Sequence, residues 1–468
     1  MSPHPPLKDL LEQAAETVPP ADVPRDTWQR GRRRHRRSLA LRAAAVVGVV
    51  ALVAATPGLL DRATDRSAPQ PAGSGASGPG LPDHLHAVPS HLAARGEDER
   101  WGHEEVSDDL AVGRAVAAWV TSAGLPVLVG AADGRYHLLD LPDFLLAGDL
   151  AISWFPGDQP PMALSPDGTR LAYAYAWPAT DDGTVVPSGI RVLDLETGEV
   201  ARDLALQGGT GVAVTQVSWS PDGAWLAWTG FETSYWTTTT LNGSRSRAGV
   251  AGPDGTRRAV EPGGSTYVDD DGAAIVLDGG SIEVQRSDGT TVARRGAAGT
   301  PELTGDGLLS PDGSRLVVGT AAGYDLVAID LGRDRVETRS GGAQDWSARP
   351  LAWVGDAVLV QRTPPASGDE GLLSLVDVTG DAAVRDVGVL DGGESDNPHT
   401  GVGPLSVAAD LVTEDQPTVT RPAPDWPWDP PSWAVPAAAL AAALLLVAAL
   451  AWAVVRRRRR SAQRPSAT

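Results

Sequence analysis

The tetrapeptide Ser-Pro-Asp-Gly occurs three times in the chain, and this repeat constrains the fold more than any other feature. The copies begin at Ser165, Ser220 and Ser310, and each is followed by a short run of alternating apolar residues. Proline and Asp-Gly favour a tight turn, the glycine tolerates a positive φ, and the flanking runs can pair as an antiparallel hairpin. The sequence therefore predicts a repeated β-hairpin.

Degenerate copies of this hairpin fill the gaps between the three clear ones. Repeat units start near residues 115, 163, 218, 268, 308, 352 and 405. The spacing of about 40–55 residues is typical of four-stranded propeller blades, and no long amphipathic helix intervenes. We predict an all-β fold, a β-propeller of six to seven blades over residues 84–415.

The number of blades stays open at this point because the seventh unit, residues 404–412, is too short for four strands. Such a ring can close when strands from the N-terminal part, around residues 110–120, complete the last blade. Closure of this kind would place the two ends of the propeller side by side.

A membrane span is predicted after the propeller, at residues 433–455, which contain no charged residue. A helix needs about 20 apolar residues to cross a bilayer, so this segment is long enough. Five arginines follow at once, Arg456 to Arg460, and place the tail 456–468 in the cytoplasm by the positive-inside rule.

A second span is predicted at residues 39–60, behind a polybasic run that also indicates a cytoplasmic N-terminus. Its purely apolar part, residues 43–55, is short enough that a cleavable signal peptide remains the alternative. The long and organised leader, residues 1–38, favours an uncleaved span.

Two connecting segments separate the predicted spans from the propeller. Residues 61–83 are rich in glycine and proline without apolar periodicity, which predicts a flexible linker. Residues 416–432 contain six prolines, which favours a stiff extended stalk. The prediction is thus a bacterial membrane protein with both termini cytoplasmic and the propeller outside.

The pattern Ser-Pro-Asp-Gly-x-x-Leu-Ala, complete at Ser165 and Ser220, resembles that of TolB-like and WD-repeat-like β-propellers. The resemblance covers about residues 84–415 and implies the fold rather than an activity. Together with the two spans, the layout resembles membrane-anchored propeller proteins of actinobacteria. The genes of those proteins often lie near genes for extracytoplasmic-function sigma factors.

Composition excludes several classes of function. The chain has no cysteine, which removes disulfides, thiolate metal sites and cysteine nucleophiles, and its single lysine, Lys8, cannot complete a Walker loop. Residues 61–455 carry 24 arginines against 54 acids, and a net charge of −30 repels nucleic acid. No Gly-x-Ser-x-Gly motif is present. We predict no enzyme, no catalytic residue and no cofactor.

Two clusters contain residue types that can bind a metal ion, but neither is predicted to be a metal site. His84, His86 and His91 lie close together in sequence, but their spacing is not helical and they fall at a linker junction, which favours a solvated loop. The acidic run 269–271 lacks the ligand spacing of an EF-hand and occupies the place of a Ser-Pro-Asp-Gly turn. We therefore interpret it as a degenerate turn.

The N-terminal segment has an apolar stripe at helical spacing. Its members are Leu7, Leu10, Leu11, Ala14 and Val18. A helix of about 12 residues is marginal alone, so such a stripe gains stability by docking on a partner or by lying on a membrane. The stripe loosely resembles the short cytosolic segment of anti-sigma-like membrane proteins, which implies a cytoplasmic regulator as partner.

The leading hypothesis is a non-enzymatic sensor or interaction module. In it the propeller engages an envelope ligand or protein, and the tail contacts a cytoplasmic regulator such as a sigma factor. A structural scaffold for envelope assembly is the alternative, and a propeller hydrolase is the third.

Overall fold

The computed structural model describes the region of the predicted propeller. The described residues are 78–92, 106–121, 124–144, 161–176, 187–208, 211–236, 241–278, 281–296, 303–320, 325–332, 335–340, 346–364, 370–379, 383–392 and 401–426. They belong to one compact unit, Ala72–Trp428. Both predicted spans, 39–60 and 433–455, lie outside them, and among the described residues no helix is long and apolar enough to cross a membrane.

The described residues form 26 β-strands and a single turn of 3₁₀ helix at Ala409–Leu411. In chain order the strands are β1 (His84–Leu85), β2 (Val106–Ser107), β3 (Ala115–Val120), β4 (Pro126–Gly130), β5 (Tyr136–Leu139), β6 (Met162–Leu164), β7 (Arg170–Ala176), β8 (Ser188–Asp194), β9 (Val200–Leu206), β10 (Val212–Trp219), β11 (Leu226–Trp236), β12 (Leu241–Ala251), β13 (Arg257–Val260), β14 (Ser265–Val268), β15 (Ala274–Asp278), β16 (Ser281–Gln285), β17 (Thr291–Gly296), β18 (Leu303–Leu309), β19 (Arg315–Thr320), β20 (Asp325–Asp330), β21 (Arg335–Ser340), β22 (Ser347–Val354), β23 (Ala357–Thr363), β24 (Gly371–Asp377), β25 (Val384–Leu390) and β26 (Ser406–Val407).

These strands make six sheets, which are the blades of a β-propeller. Blade 1 has the order β26-β3-β4-β5-β2, blades 2 to 5 are β6–β9, β10–β13, β14–β17 and β18–β21, and blade 6 is β22–β25 with β1 added at its outer edge. Within each blade the consecutive strands pair antiparallel, as the hairpin repeat predicts. The all-β propeller is confirmed, and the blade count is six.

The ring closes through strands from both ends of the propeller. Ser406 and Val407 of β26 pair with Ala118 and Ala117 of β3, so a C-terminal strand forms the inner edge of an N-terminal blade. At the outer edge of blade 6, β1 pairs in parallel with β25. The seventh repeat unit is therefore the closing strand of blade 1 and not a separate blade.

The Ser-Pro-Asp-Gly turns connect the first and second strands of blades 2, 3 and 5. In the turn of blade 5 the hydroxyl of Ser310 donates to Oδ1 of Asp312 at 2.6 Å and accepts the backbone N–H of Arg315 at 2.9 Å. Gly313 has a φ of +66°, which a residue with a side chain seldom adopts. Serine, aspartate and glycine are thus needed for the turn itself.

The acidic run 269–271 forms the corresponding turn of blade 4. Oδ1 of Asp269 accepts the backbone N–H groups of Asp271 and Ala273 at 3.0 and 2.7 Å, so the aspartate takes the place of the serine hydroxyl. The next glycine, Gly272, has a φ of +78°.

Buried apolar clusters join every blade to its neighbours around the ring. The largest lies between blades 6 and 1 and includes Leu85, Trp119 and Leu359, all nearly fully buried. Since this interface contains both ends of the propeller, apolar burial stabilises the closure in addition to the strand pairing.

The propeller extends beyond the predicted boundaries at 84 and 415. Val419 is 2% exposed, donates its N–H to the Leu81 carbonyl at 2.7 Å and accepts the N–H of Asp83 at 2.9 Å. Arg421 donates to the carbonyl of Gly78 at 2.7 Å. The end of the predicted linker and the start of the predicted stalk are therefore hydrogen-bonded to each other, because each satisfies the backbone groups of the other.

Candidate functional site

The central channel of the propeller is the first candidate site. The innermost strands of all six blades line it, namely β26, β6, β10, β14, β18 and β22. Each of these strands ends in a turn at the same end of the channel, here called the turn end, where Pro166, Pro221 and Pro311 lie. The strands begin at the opposite end. The cavity encloses about 210 Å³.

Four polar side chains on consecutive blades line the channel away from the turns. They are Gln216, Tyr267, Asp306 and Arg349, here called the polar quartet. A guanidinium nitrogen of Arg349 lies 3.6 Å from a carboxylate oxygen of Asp306, and both side chains remain partly exposed. Asp306 and Arg349 thus present one anion and one cation to whatever enters from that end, and Gln216 and the buried Tyr267 lie beside them.

Tyr267 is the buried member of the quartet. Burial, and then the negative charge of Asp306, raise the pKa of its phenol, so the hydroxyl stays protonated at neutral pH. Gly307 makes room for it, because a Cβ atom at residue 307 would lie 2.5 Å from the hydroxyl oxygen. The sequence gives no sign of this contact, which joins blades 4 and 5.

The turn end of the channel holds a second carboxylate, Asp410, in the 3₁₀ turn after β26. Its backbone N–H donates to the carbonyl of Pro166 at 3.0 Å, which fixes the turn against blade 2. Burial raises the pKa of the Asp410 carboxyl, and the charge of Asp167 raises it further.

The channel lining holds two carboxylates but does not pair them. The two carboxylates that line it, Asp306 and Asp410, lie on different blades and toward different ends, whereas glycoside hydrolysis needs a pair about 5–9.5 Å apart on either side of a bond. Among the described lining residues there is no histidine. The volume is also below the 300–1,000 Å³ that is usual for small-molecule sites.

Blade 3 carries the longest hairpin among the described strands. Strands β11 and β12 each have 11 residues, and they pair as far as Trp236 and Leu241, with register shifts between Glu232 and Tyr235. Since β11 runs away from its turn, the hairpin extends on the same side of the ring as the polar quartet. Glu232 and Arg247 form an ion pair across it.

A second cluster lies on the outer edge of blade 6, where His84 and His86 meet Asp391. The two histidines are close to His91 in the sequence, whereas the structure groups them with an aspartate far along the chain. No sequence signal connects Asp391 to them. It is the only such group of potential metal ligands among the described residues.

The predicted partner-binding residues lie outside the described part of the chain. They are Leu7, Leu10, Leu11, Ala14 and Val18. Their role stays a prediction.

Fold and sites define a six-bladed β-propeller, and its likeness to known proteins is a likeness of fold. No protein family and no curated protein sequence matches the chain. A TolB structure from Agrobacterium tumefaciens is 17% identical over 53% of this chain and 89% of that one, with a TM-score of 0.33. The β-propeller domain of Cps50 (Swd1) from Myceliophteria thermophila is 12% identical over 63% and 96%, with a TM-score of 0.37.

Enzymes occur among the similar structures as well. Virginiamycin B lyase from Staphylococcus aureus is 12% identical over 64% of this chain and 96% of that one, with a TM-score of 0.37. A fold of this kind does not by itself select between binding and catalysis.

Proposed function

We propose that the propeller is a non-enzymatic interaction module which is anchored in a bacterial membrane and faces outside the cell. In this proposal the ring face with the polar quartet and the β11–β12 hairpin engages a protein or another envelope ligand. The N-terminal segment, residues 1–38, contacts a cytoplasmic regulator.

The observation that carries the binding role is the channel. A cavity of about 210 Å³ admits water and small ions more readily than a substrate of ordinary size. The two carboxylates that line the channel, those of Asp306 and Asp410, lie toward different ends of it. A partner would therefore bind across the rim of the ring, where Asp306 and Arg349 are partly exposed, and not deep inside it.

Membrane anchoring rests on the apolar segments at 39–60 and 433–455, together with the geometry of the two ends of the propeller. The backbone pairing of Leu81 and Asp83 with Val419 brings the two connecting segments out of the propeller at one place. A common exit of this kind suits two membrane helices that lie side by side.

Contact with a cytoplasmic regulator, for which a sigma factor is the specific candidate, rests on the apolar stripe of residues 7–18. Replacement of Leu7, Leu10 and Leu11 by aspartate removes that stripe while leaving the polybasic run intact. If the replacement abolishes recovery of a bound regulator, contact between residues 1–38 and that regulator is supported. If recovery of the regulator is unchanged, residues 1–38 serve only to set the orientation of the chain in the membrane.

The binding face can be tested by site-specific photo-crosslinking, because the chain has no natural cysteine. Single cysteines are placed at Asp306 in the quartet and at Ser246 on the long hairpin, and a cysteine at Asp254, in an exposed β12–β13 turn, serves as the control. Each is coupled to a benzophenone reagent on intact cells. We expect the first two positions to capture the same protein and the control position to capture none.

The same cysteines test the topology. A membrane-impermeant maleimide should label Asp306→Cys on intact cells, and it should label Ser38→Cys and Ser461→Cys only after lysis. Labelling of the terminal positions on intact cells would refute the orientation. Equal crosslinking from Asp306→Cys and Asp254→Cys would refute the proposed binding face, whereas the proposed membrane orientation would be unaffected by that result.

A further inference from the structure

The fold brings two histidines from the start of the propeller to an aspartate near its end. Strand β1 pairs in parallel with β25, with His84 opposite Val389 and Leu85 opposite Leu390. Continuing this register by one residue places His86 beside Asp391. Side chains two residues apart on extended backbone point to the same side, so both imidazoles face the carboxylate.

The distances among the three side chains are those of a ligand set. Nε2 of His84 lies 2.5 Å from Oδ1 of Asp391, and Nδ1 of His86 lies 3.2 Å from Oδ2. The two imidazole rings stack with their centroids 4.0 Å apart. Ligand atoms around a tetrahedral zinc ion are about 3.3 Å apart, so an ion would require His84 to move by about 0.8 Å.

The neighbouring backbone holds the ligands in place. The N–H of Ala87 donates to Oδ2 of Asp391 at 3.1 Å, and the N–H of Asp391 donates to the Leu85 carbonyl at 2.9 Å. The hydroxyl of Tyr136, from blade 1, accepts the N–H of His86 at 2.8 Å. Contacts of this kind orient ligands and make a metal site more than a chance group of side chains.

The cluster is also accessible. The side chains of His84, His86 and Asp391 are 40%, 18% and 31% exposed. A cavity lined by His86, Asp391 and Trp426 opens beside them, so a metal ion could enter and keep a fourth position for water.

We propose that His84, His86 and Asp391 bind a divalent transition-metal ion, with zinc as the ion tested. Two imidazoles and one carboxylate suit zinc and its neighbours, whereas Ca²⁺ and Mg²⁺ prefer oxygen ligands alone. The ion joins β1 to the end of β25 and so fastens the outer edge of blade 6. This site is independent of the proposed binding face and of the membrane topology.

The test is isothermal titration of the purified, untagged full-length chain with zinc chloride, since a polyhistidine tag would itself bind zinc. We expect one ion per chain with micromolar or tighter affinity, and no binding of Ca²⁺ or Mg²⁺. His84→Asn, His86→Asn and Asp391→Asn should each weaken binding at least tenfold. His91→Asn, in the same segment but outside the cluster, is the matched control and should bind as the unaltered chain does.

Thermal unfolding distinguishes a variant that has lost a metal ligand from a variant that has lost its folded structure. Asp391→Asn keeps an oxygen that can accept the Ala87 N–H, so its melting temperature without metal should stay within a few degrees of the parent. Zinc at a hundredfold excess over its Kd should raise the melting temperature of the parent by about 3–5 °C, and that of the three variants by much less. Absence of zinc binding, or an equal loss in His91→Asn, would overturn the proposal.

Discussion

The guanidinium group of Arg170 in blade 2 lies over the indole ring of Trp219 in blade 3, with its Cζ 5.0 Å from the ring centroid. The same guanidinium donates to the carbonyl of Gly223 at 2.9 Å, and the indole N–H of Trp219 donates back to the carbonyl of Ala163 at 3.0 Å. Neighbouring blades are thus joined by polar contacts in both directions as well as by apolar burial.

The arginine contact recurs at other interfaces of the ring. Arg114 donates to the carbonyl of Asp167 in the next blade at 2.8 Å, and Arg258 donates to that of Gly272 at 2.8 Å. Each acceptor lies in a Ser-Pro-Asp-Gly turn or its degenerate copy. A guanidinium can reach a carbonyl and stack on an aromatic ring at once, which an ammonium group cannot do equally well.

Arg170→Ala should therefore lower the free energy of unfolding by about 2 kcal/mol, because it removes one charge-assisted hydrogen bond and one cation–π contact. Arg170→Lys should restore part of the loss. Urea unfolding measures both values. Arg286→Ala, at an exposed position in a hairpin turn, is the control and should cost no more than about 0.5 kcal/mol. Equal losses in the two alanine variants would contradict the role of Arg170.

A pair of glycines tests the close approach of one blade to the next. Gly168 and Gly255 have similar positive φ values, +73° and +84°. A Cβ atom on Gly168 would lie 2.1 Å from the carbonyl oxygen of Ala115 in blade 1, whereas one on Gly255 would meet nothing within 4 Å. The two sites share backbone strain and differ in contact.

Gly255→Ala should lower the free energy of unfolding by about 1–2 kcal/mol, because alanine is strained at a positive φ even where it meets no neighbour. Gly168→Ala should lower the free energy of unfolding by at least about 2 kcal/mol more, since its Cβ would clash with the backbone carbonyl of Ala115, which cannot rotate away. Urea unfolding of both variants measures the difference. Equal losses would mean that blades 1 and 2 separate easily at this turn.

Local signals explain which parts of the fold can be predicted from the sequence. The turns at Ser165, Ser220 and Ser310 are specified by residues within one tetrapeptide, so the blades they begin are visible without a structure. The closing strand was recognisable as a unit too short for a blade. The choice of six blades still depended on its pairing with β3, which no local pattern records.

The candidate sites are harder to predict from the sequence than the turns are, and the reason is physical. The four members of the polar quartet come from four blades, and each stands alone in its own strand, so no motif contains two of them. Asp391 reaches His84 only through the parallel pairing of β1 with β25. Likewise, the docking of residues 78–83 against 416–421 uses backbone hydrogen bonds, which a Gly- and Pro-rich composition does not reveal.

Asp312 should make the stability of the propeller depend on acid pH. Hydrogen bonds from the hydroxyl groups of Ser310 and Ser314 lower the pKa of its carboxyl to about 2 in the folded protein. The folded value lies below the unfolded value of 3.8, so the ionised group stabilises the fold above pH 4. That contribution is lost as the pH falls from about 4 to 2.

Because the carboxyl group is largely solvent-exposed, the contribution is expected to be about 1 kcal/mol. The difference in unfolding free energy between the parent and Asp312→Asn should be largest above pH 4 and shrink toward pH 2. Urea unfolding across that range measures it. Asp356→Asn, at an exposed position in the β22–β23 turn, should show no comparable trend. A difference that is constant with pH would exclude the carboxylate as its source.

The contact between the two ends of the propeller can be fixed by an engineered disulfide. A Cβ atom on Gly80 would lie 3.8 Å from the Cβ of Val419, which is the usual separation in a disulfide. Since the chain has no natural cysteine, Gly80→Cys with Val419→Cys would create the only thiol pair. A bond between them closes a loop that contains nearly the whole propeller.

The double variant should oxidise readily and migrate differently from its reduced form on a denaturing gel. Its oxidised form should gain about 2–4 kcal/mol in unfolding free energy, lost again with reductant, because a long loop is constrained in the unfolded chain. Gly78→Cys with Val419→Cys is the matched control, since a Cβ on Gly78 meets nothing within 4 Å. If the control pair oxidises as fast as the Gly80 pair, the register of Leu81 and Asp83 on Val419 is wrong.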